Sequence, residues 1–302
     1  IRQLTIPPYA MNYILVPYDF DPQTDLAFDQ AIHLARHTKS RIILLYVHEH
    51  QGFLSSLFSQ EQNEEMLEKI SDQMDAVAAN MSFKSGVDIS VRLEIGRIYS
   101  VIVDVARETG AEFIVMGTRS LESSARGNYR MAGANTSRVI RSAHCPVITI
   151  GGRTHYDGCR TIMLPIDHHA ETGQKVKWAI KLAGIYGARV RVVAALSLEQ
   201  KDRSRDKIRR QVENVHDQIK NAGIGCETEV LEAQAGEKDI VSSLLDYANR
   251  TGDIDLIIIM TQQESAIVEF FVDSGAQEFI RKSDIPVMSV VPRDASSKAL
   301  EG

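Results

Sequence analysis

The chain says the same thing twice. "YILVPYDFD" (Tyr13–Asp21) returns as "TIMLPIDHH" (Thr161–His169), which sets Asp19 opposite Asp167. "QAIHLA" (Gln30–Ala35) returns as "WAIKLA" (Trp178–Ala183) at the same offset. Further on, "ETGAEFIVMG" resembles "RTGDIDLIIIMT", and "SRVIRSAHCPVITI" (Ser137–Ile150) matches "QEFIRKSDIPVMSV" (Gln277–Val290). Four matches in one order mark a tandem duplication of a unit of about 140–150 residues. A chain of 302 residues has room for two such domains. The boundaries expected are 11–150 for the first copy, 151–159 for a linker, 160–293 for the second copy and 294–302 for a polar tail.

Inside each copy the hydrophobic period switches. "YILVPY", "RIILLYV", "FIVMG" and "PVITI" are short apolar runs, and "TIMLPI", "RVRVVAAL", "DLIIIM" and "PVMSVV" are their counterparts. Continuous rather than alternating apolar residues predict parallel strands covered on both faces. Between them lie helical patterns, such as Ala27, Ala31, Leu34 and Ala35, and a helix through Ile102, Val105 and Ala106 that Gly110 is placed to stop. Each copy is therefore predicted to be an α/β, doubly wound domain of βαβαβαβαβ type. In such folds ligands sit at the carboxyl ends of the strands, where the strand order reverses.

Several residues fall at those ends. Asp19 and Asp167 follow the first strand of their copies. A carboxylate there can accept hydrogen bonds from a sugar hydroxyl or a base amine, or can serve as the N-cap or turn aspartate of the next helix. Gly117 closes the fourth strand of the first copy, where a glycine allows close backbone approach to a ligand. Gly133 precedes a helix expected to start near Asn135, whose amino end favours a phosphate. Thr118, Ser120, Asn135 and Thr136 can add donors, and Arg119, Arg126 or Arg130 positive charge.

Taken together, the "ILVPYD" start, the "VMG" strand end and the "G…SRVIRSAHCPVITI" finish resemble the universal stress protein family, and more narrowly its bacterial two-domain members. The resemblance covers nearly the whole chain. It implies a Rossmann-like fold in each half and ATP, alone or with Mg²⁺, as the cofactor. ATP-binding members carry Gly-x-x-Gly, nine residues and Gly-Ser/Thr after the fourth strand. Here Gly117 matches, Ser120 stands at the second glycine, twelve residues follow, and the last pair is Gly133–Ala134. The resemblance further implies that Asp19 and the backbone near Val47 contact ribose and adenine, with Thr118, Arg119, Ser120, Ala134, Asn135 and Thr136 around the phosphates. In the second copy Thr261 falls at the first glycine, Glu264 at the second and Asp273–Ser274 at the last pair. Carboxylates there would repel phosphate, so this copy is expected to be degenerate. Family members commonly pair through the last strand, which implies that the two copies pair within the chain.

Composition narrows the remaining classes. A net charge of -6 argues against nucleic acid or an anionic membrane as partner. Cys145, Cys159 and Cys226 form no C-x-x-C pair, which fits a reducing compartment. Residues 1–10 lack the charged and apolar segments of a secretion signal, and no apolar run approaches a membrane span, so a cytoplasmic protein is expected. His48 with His50, and His168 with His169, are the nearest approaches to a metal-ligand pattern, and no metal site is assigned to them. Cys145 lies where the second copy has Ile285, which favours packing over reactivity. "EQKDRSRDKIRRQVEN" reads as a helix with an exposed face carrying i,i+4 ion pairs. No nucleophile–base constellation is visible. The expected function is a stress-response regulator that binds nucleotide through its first copy and does not act as an enzyme. The alternative is an interaction or scaffold protein of the same fold that binds none. Expected partners are the nucleotide, a second chain in a homodimer and an unidentified protein.

Overall fold

A computed structural model describes residues 12–49, 60–118, 133–152, 158–166, 172–197, 202–233, 237–261 and 274–291. The first copy runs β1 (Tyr13–Pro17), α1 (Pro22–Thr38), β2 (Arg41–His48), α2 (Gln60–Ser85), β3 (Ile89–Ile95), α3 (Ile98–Thr109), β4 (Phe113–Gly117), α4 (Ala134–Ser142) and β5 (Val147–Ile150). The second runs β6 (Thr161–Ile166), α5 (Thr172–Tyr186), β7 (Arg189–Ser197), α6 (Asp202–Asn221), β8 (Cys226–Ala233), α7 (Glu237–Thr251), β9 (Leu256–Met260), α8 (Ser274–Lys282) and β10 (Val287–Val290).

All ten strands join one sheet in the order β3-β2-β1-β4-β5-β10-β9-β6-β7-β8. Pairing is parallel within each copy, and the copies meet through an antiparallel β5–β10 pair, with Met288 opposite Ile148. Alternation along β1 explains the two cores. Ile14 and Val16 point to one face and belong to a core that includes Phe28, Ala31 and Met74 of the first copy and Leu182 and Val212 of the second. Leu15 points to the other and belongs to a second core that includes Ile102, Val105 and Val139 of the first copy and Leu244 and Phe279 of the second. Each core runs through both copies, so the expected tandem domains share continuous cores.

The third strand of each copy escapes the apolar-run search for a physical reason. β3 (ISVRLEI) and β8 (CETEVLEA) are the two edges of the sheet, and charged residues interrupt their apolar pattern. The helix signals hold. Asp21 caps α1 by accepting from Gln23 N–H, and Gly110, with φ 63°, ends α3 in the left-handed region. The charged run forms α6, which buries Ile208, Val212, Val215 and Ile219. Arg205 and Arg209 cross to Glu232 on β8, because β8 brings a carboxylate within their reach.

The copies also touch outside the sheet. Phe113 packs edge-on against Trp178 with ring centroids 5.3 Å apart, Lys181 pairs with Glu112, and His37 lies against Tyr186.

Candidate functional site

The order β3-β2-β1-β4-β5 reverses between β1 and β4, and the carboxyl ends of strands at such a reversal are where doubly wound sheets take their ligands. Asp19 stands on one side, two residues beyond β1. Its Oδ1 accepts from Asp21 N–H at 3.2 Å and from the Thr24 hydroxyl at 3.0 Å, while the carboxylate stays exposed. The N-cap role belongs to Asp21, so Asp19 is a turn aspartate with lone pairs left over. Between the two sits Phe20 at φ 64°, a backbone state that disfavours bulky residues. Its ring lies 5.2 Å from that of Tyr18 and 6.3 Å from that of Tyr46, which holds the turn against the core. Tyr18 donates to Asp25; burial, and then that carboxylate, push its phenol well above the ordinary value.

β2 outruns β1. Their pairing ends at Pro17 opposite Leu45, followed by a bond from Tyr18 N–H to the Leu45 carbonyl. Alternation turns the backbone polar groups of every second residue to the same side, so those of Val47, like those of Leu45, face the β1 side just past the point where β1 leaves the sheet.

β4 lies on the other side of the reversal. Gly117 pairs with Ile150, and a Cβ built on it would stand 3.0 Å from the Gln23 carbonyl oxygen. The first turn of α1 therefore already fills the space that the sequence reading reserved for a ligand. Thr118, 3% exposed, bonds Ile150 O through both its N–H and its hydroxyl. Thr136, 4% exposed, donates its hydroxyl to Gly117 O at 3.3 Å. Both hydroxyls hold α4 and β5 to the end of β4. Arg119 and Ser120 lie outside the described residues, as do Arg126, Arg130, His50, Asp167, His168 and His169.

Gly133 is the N-cap of α4, one residue earlier than the expected start would place it, and its N–H is tied to the Thr118 carbonyl. Its φ of -52° suits any residue, and among the described residues a Cβ there would meet only the Thr136 hydroxyl, at 3.7 Å. No side chain caps α4 and its first turn carries no acid. The N–H groups of Ala134, Asn135 and Thr136 belong to that turn and have no partner within the helix. Ala134 is exposed and Asn135 half-buried.

Against this geometry the family comparison is decisive. The family model for universal stress proteins matches residues 11–151 and again 158–291. The chain belongs to the universal stress protein family. It is 28% identical over 139 residues to a universal stress protein of Methanocaldococcus jannaschii, covering 45% of this chain and 80% of that one. Its fold is similar to that of a universal stress protein of Archaeoglobus fulgidus, with a TM-score of 0.75 at 15% identity over 94% of this chain and 99% of that one. A Pseudomonas aeruginosa protein gives a TM-score of 0.62 at 15% identity over 94% of each chain.

Within this universal stress protein the two copies differ at the fourth strand. Met260 pairs with Val290 as Gly117 pairs with Ile150, and Thr261 bonds Val290 O through N–H and hydroxyl as Thr118 bonds Ile150 O. Thr261 is thus the counterpart of Thr118, and Met260 is the counterpart of Gly117. The letter match slipped by one because the second copy has one more residue between its glycine turn and its strand (Gly252 to Leu256, against Gly110 to Phe113). Cys145 is buried in the second core, as is Ile285 at its matched place. Among the described residues no group of three or more His, Cys, Asp or Glu side chains converges, and no helix is long and apolar enough to cross a membrane.

Proposed function

We propose that the first copy of this universal stress protein binds ATP or a closely related nucleotide at the β1–β4 reversal, and that the chain works as a nucleotide-responsive regulator rather than as an enzyme. One observation carries the reading. The exposed Asp19 carboxylate, just past β1, and the uncapped amino end of α4, entered through Gly133, both lie at the carboxyl edge of the sheet beside the β1–β4 reversal. An uncapped helix start with no acid in its first turn suits phosphate, and an exposed carboxylate suits ribose or base. Val47 adds backbone polar groups facing the same way. Mg²⁺ would travel with the nucleotide, held by its phosphates. The second copy, with Met260 in the place of Gly117, acts as the partner domain.

Titration calorimetry of the full chain with ATP tests this, after release of any nucleotide carried through purification. About one ATP per chain is expected, with Asp19→Ala weakening affinity about tenfold and Asp167→Ala leaving it unchanged. Loss of binding in Asp167→Ala alone would move the site to the second copy. No binding at all would favour the interaction-protein reading, in which Gly117, Thr118 and Thr136 serve packing only.

A further inference from the structure

Two arginines converge on one tyrosine at the carboxyl edge of the first copy. Tyr99 is in the first turn of α3, and the Arg97 guanidinium lies 5.9 Å from its ring centroid and donates to its hydroxyl at 3.4 Å. Arg138 comes from α4. Side chains of a helix lean toward its amino end, and this one reaches back until its guanidinium is 5.2 Å from the same ring. Both arginines are exposed. Among the described residues neither has a carboxylate within ion-pair distance, and Glu49 acts on Arg97 only from further away.

The helix ends at this seam add to the positive charge of the arginines. α3 and α4 pack side by side, both start here without a side-chain cap, and neither has an acid in its first turn. Two guanidinium groups and two positive helix ends therefore share a field that, among the described residues, is opposed only from a distance by Glu49. The Tyr99 phenol responds to it, lowered by the Arg97 hydrogen bond and charge and further by Arg138. The second copy does not keep the feature, since Glu278 occupies the place of Arg138 in the repeat.

We propose that Arg97 and Arg138 form a clamp, braced on Tyr99, for the oxygens of a phosphate chain. Its source is the tail of the nucleotide or a free polyphosphate. As the tail site it rests on the nucleotide reading above and would give the protein a preference for triphosphate over monophosphate. Guanidinium groups suit this task because their planar donor fork matches phosphate oxygens.

The test uses the full chain and its Arg97→Gln, Arg138→Glu and double variants, each checked for an unchanged thermal midpoint. ATP, AMP and inorganic tripolyphosphate are titrated separately, at two salt concentrations. The clamp predicts that each single change weakens ATP binding about tenfold, that the double change weakens it further, and that AMP is unaffected. It also predicts a shallower salt dependence in the variants. If tripolyphosphate binds and loses affinity in the variants while ATP fails to bind the parent, the clamp stands and the nucleotide reading falls. If ATP binds the parent and the double variant within about twofold, the clamp is overturned and the nucleotide reading survives. If neither ligand binds the parent, both are overturned.

Discussion

Gly117 and Gln23 touch backbone to backbone: the α-carbon of the glycine faces the Gln23 carbonyl so closely that a methyl group would sit 3.0 Å from its oxygen. Gly117 at the end of β4 and Gly133 at the start of α4 therefore have different jobs. Gly117→Ala should push the first turn of α1 outward and lower stability by about 1–3 kcal/mol. Gly133→Ser, which keeps a favoured N-cap residue in an unstrained position, should leave stability within about 0.5 kcal/mol. Its hydroxyl would compete for the α4 N–H groups and weaken ATP affinity about tenfold. Urea unfolding and calorimetry on the two variants check this; equal stability losses would remove the distinction.

Trp178 is the single tryptophan, and it bridges the copies through Phe113. Its fluorescence should report the meeting of the two halves. Trp178→Ala is expected to destabilise the chain by about 2–4 kcal/mol, measured by circular dichroism in urea. A loss below about 1 kcal/mol would show that the Phe113–Trp178 contact adds little to the joining of the copies.

The strands that join the copies are not symmetric. The Thr149 hydroxyl donates to Val287 O at 3.1 Å, whereas the fully buried Ser289 hydroxyl has no hydrogen-bond partner among the described residues. Ser289→Ala should therefore cost nothing and gain up to about 1 kcal/mol, while Thr149→Ala should lose about 1–2 kcal/mol. Thermal midpoints of both variants decide the matter, and a clear loss in Ser289→Ala would contradict it.

Asp253 lies between Arg191 and Arg189, and the Arg191 hydrogen bond leads in holding its carboxyl below the usual range, against opposition from burial. A depressed folded value means stabilisation that is present above the ordinary carboxylate pKa and is lost as pH falls through the lowered one. Asp253→Asn should cost about 1–2 kcal/mol at pH 7, a penalty that shrinks below about pH 4. Urea midpoints across pH 3–7 should converge for parent and variant at the acid end; parallel curves would mean that Asp253 does not titrate with folding.

Central strands were readable because a buried parallel strand must be apolar on both faces, and β1, β2, β4, β6, β7 and β9 are. The edges were not, because β3 and β8 share one side with solvent and their letters look like those of a loop. The aspartate after β1 was visible as a candidate, but its distinction from the capping Asp21 needed the turn through Phe20. The Arg97–Tyr99–Arg138 cluster had no sequence signal, since about forty residues separate Tyr99 from Arg138.

By itself the chain of letters determined the duplication, the strand–helix alternation and the placing of candidate residues at the carboxyl edge, because repetition and hydrophobic period are local properties. Only the tertiary structure decided which of those residues are spent on the fold. Gly117 yields its space to Gln23, and Thr118 and Thr136 turn their hydroxyls inward, while Gly133 and Asp19 remain open. That division depends on how α1 and α4 settle on the sheet. The same letters in a row do not encode it, because the neighbours that compete for each group come from distant parts of the chain.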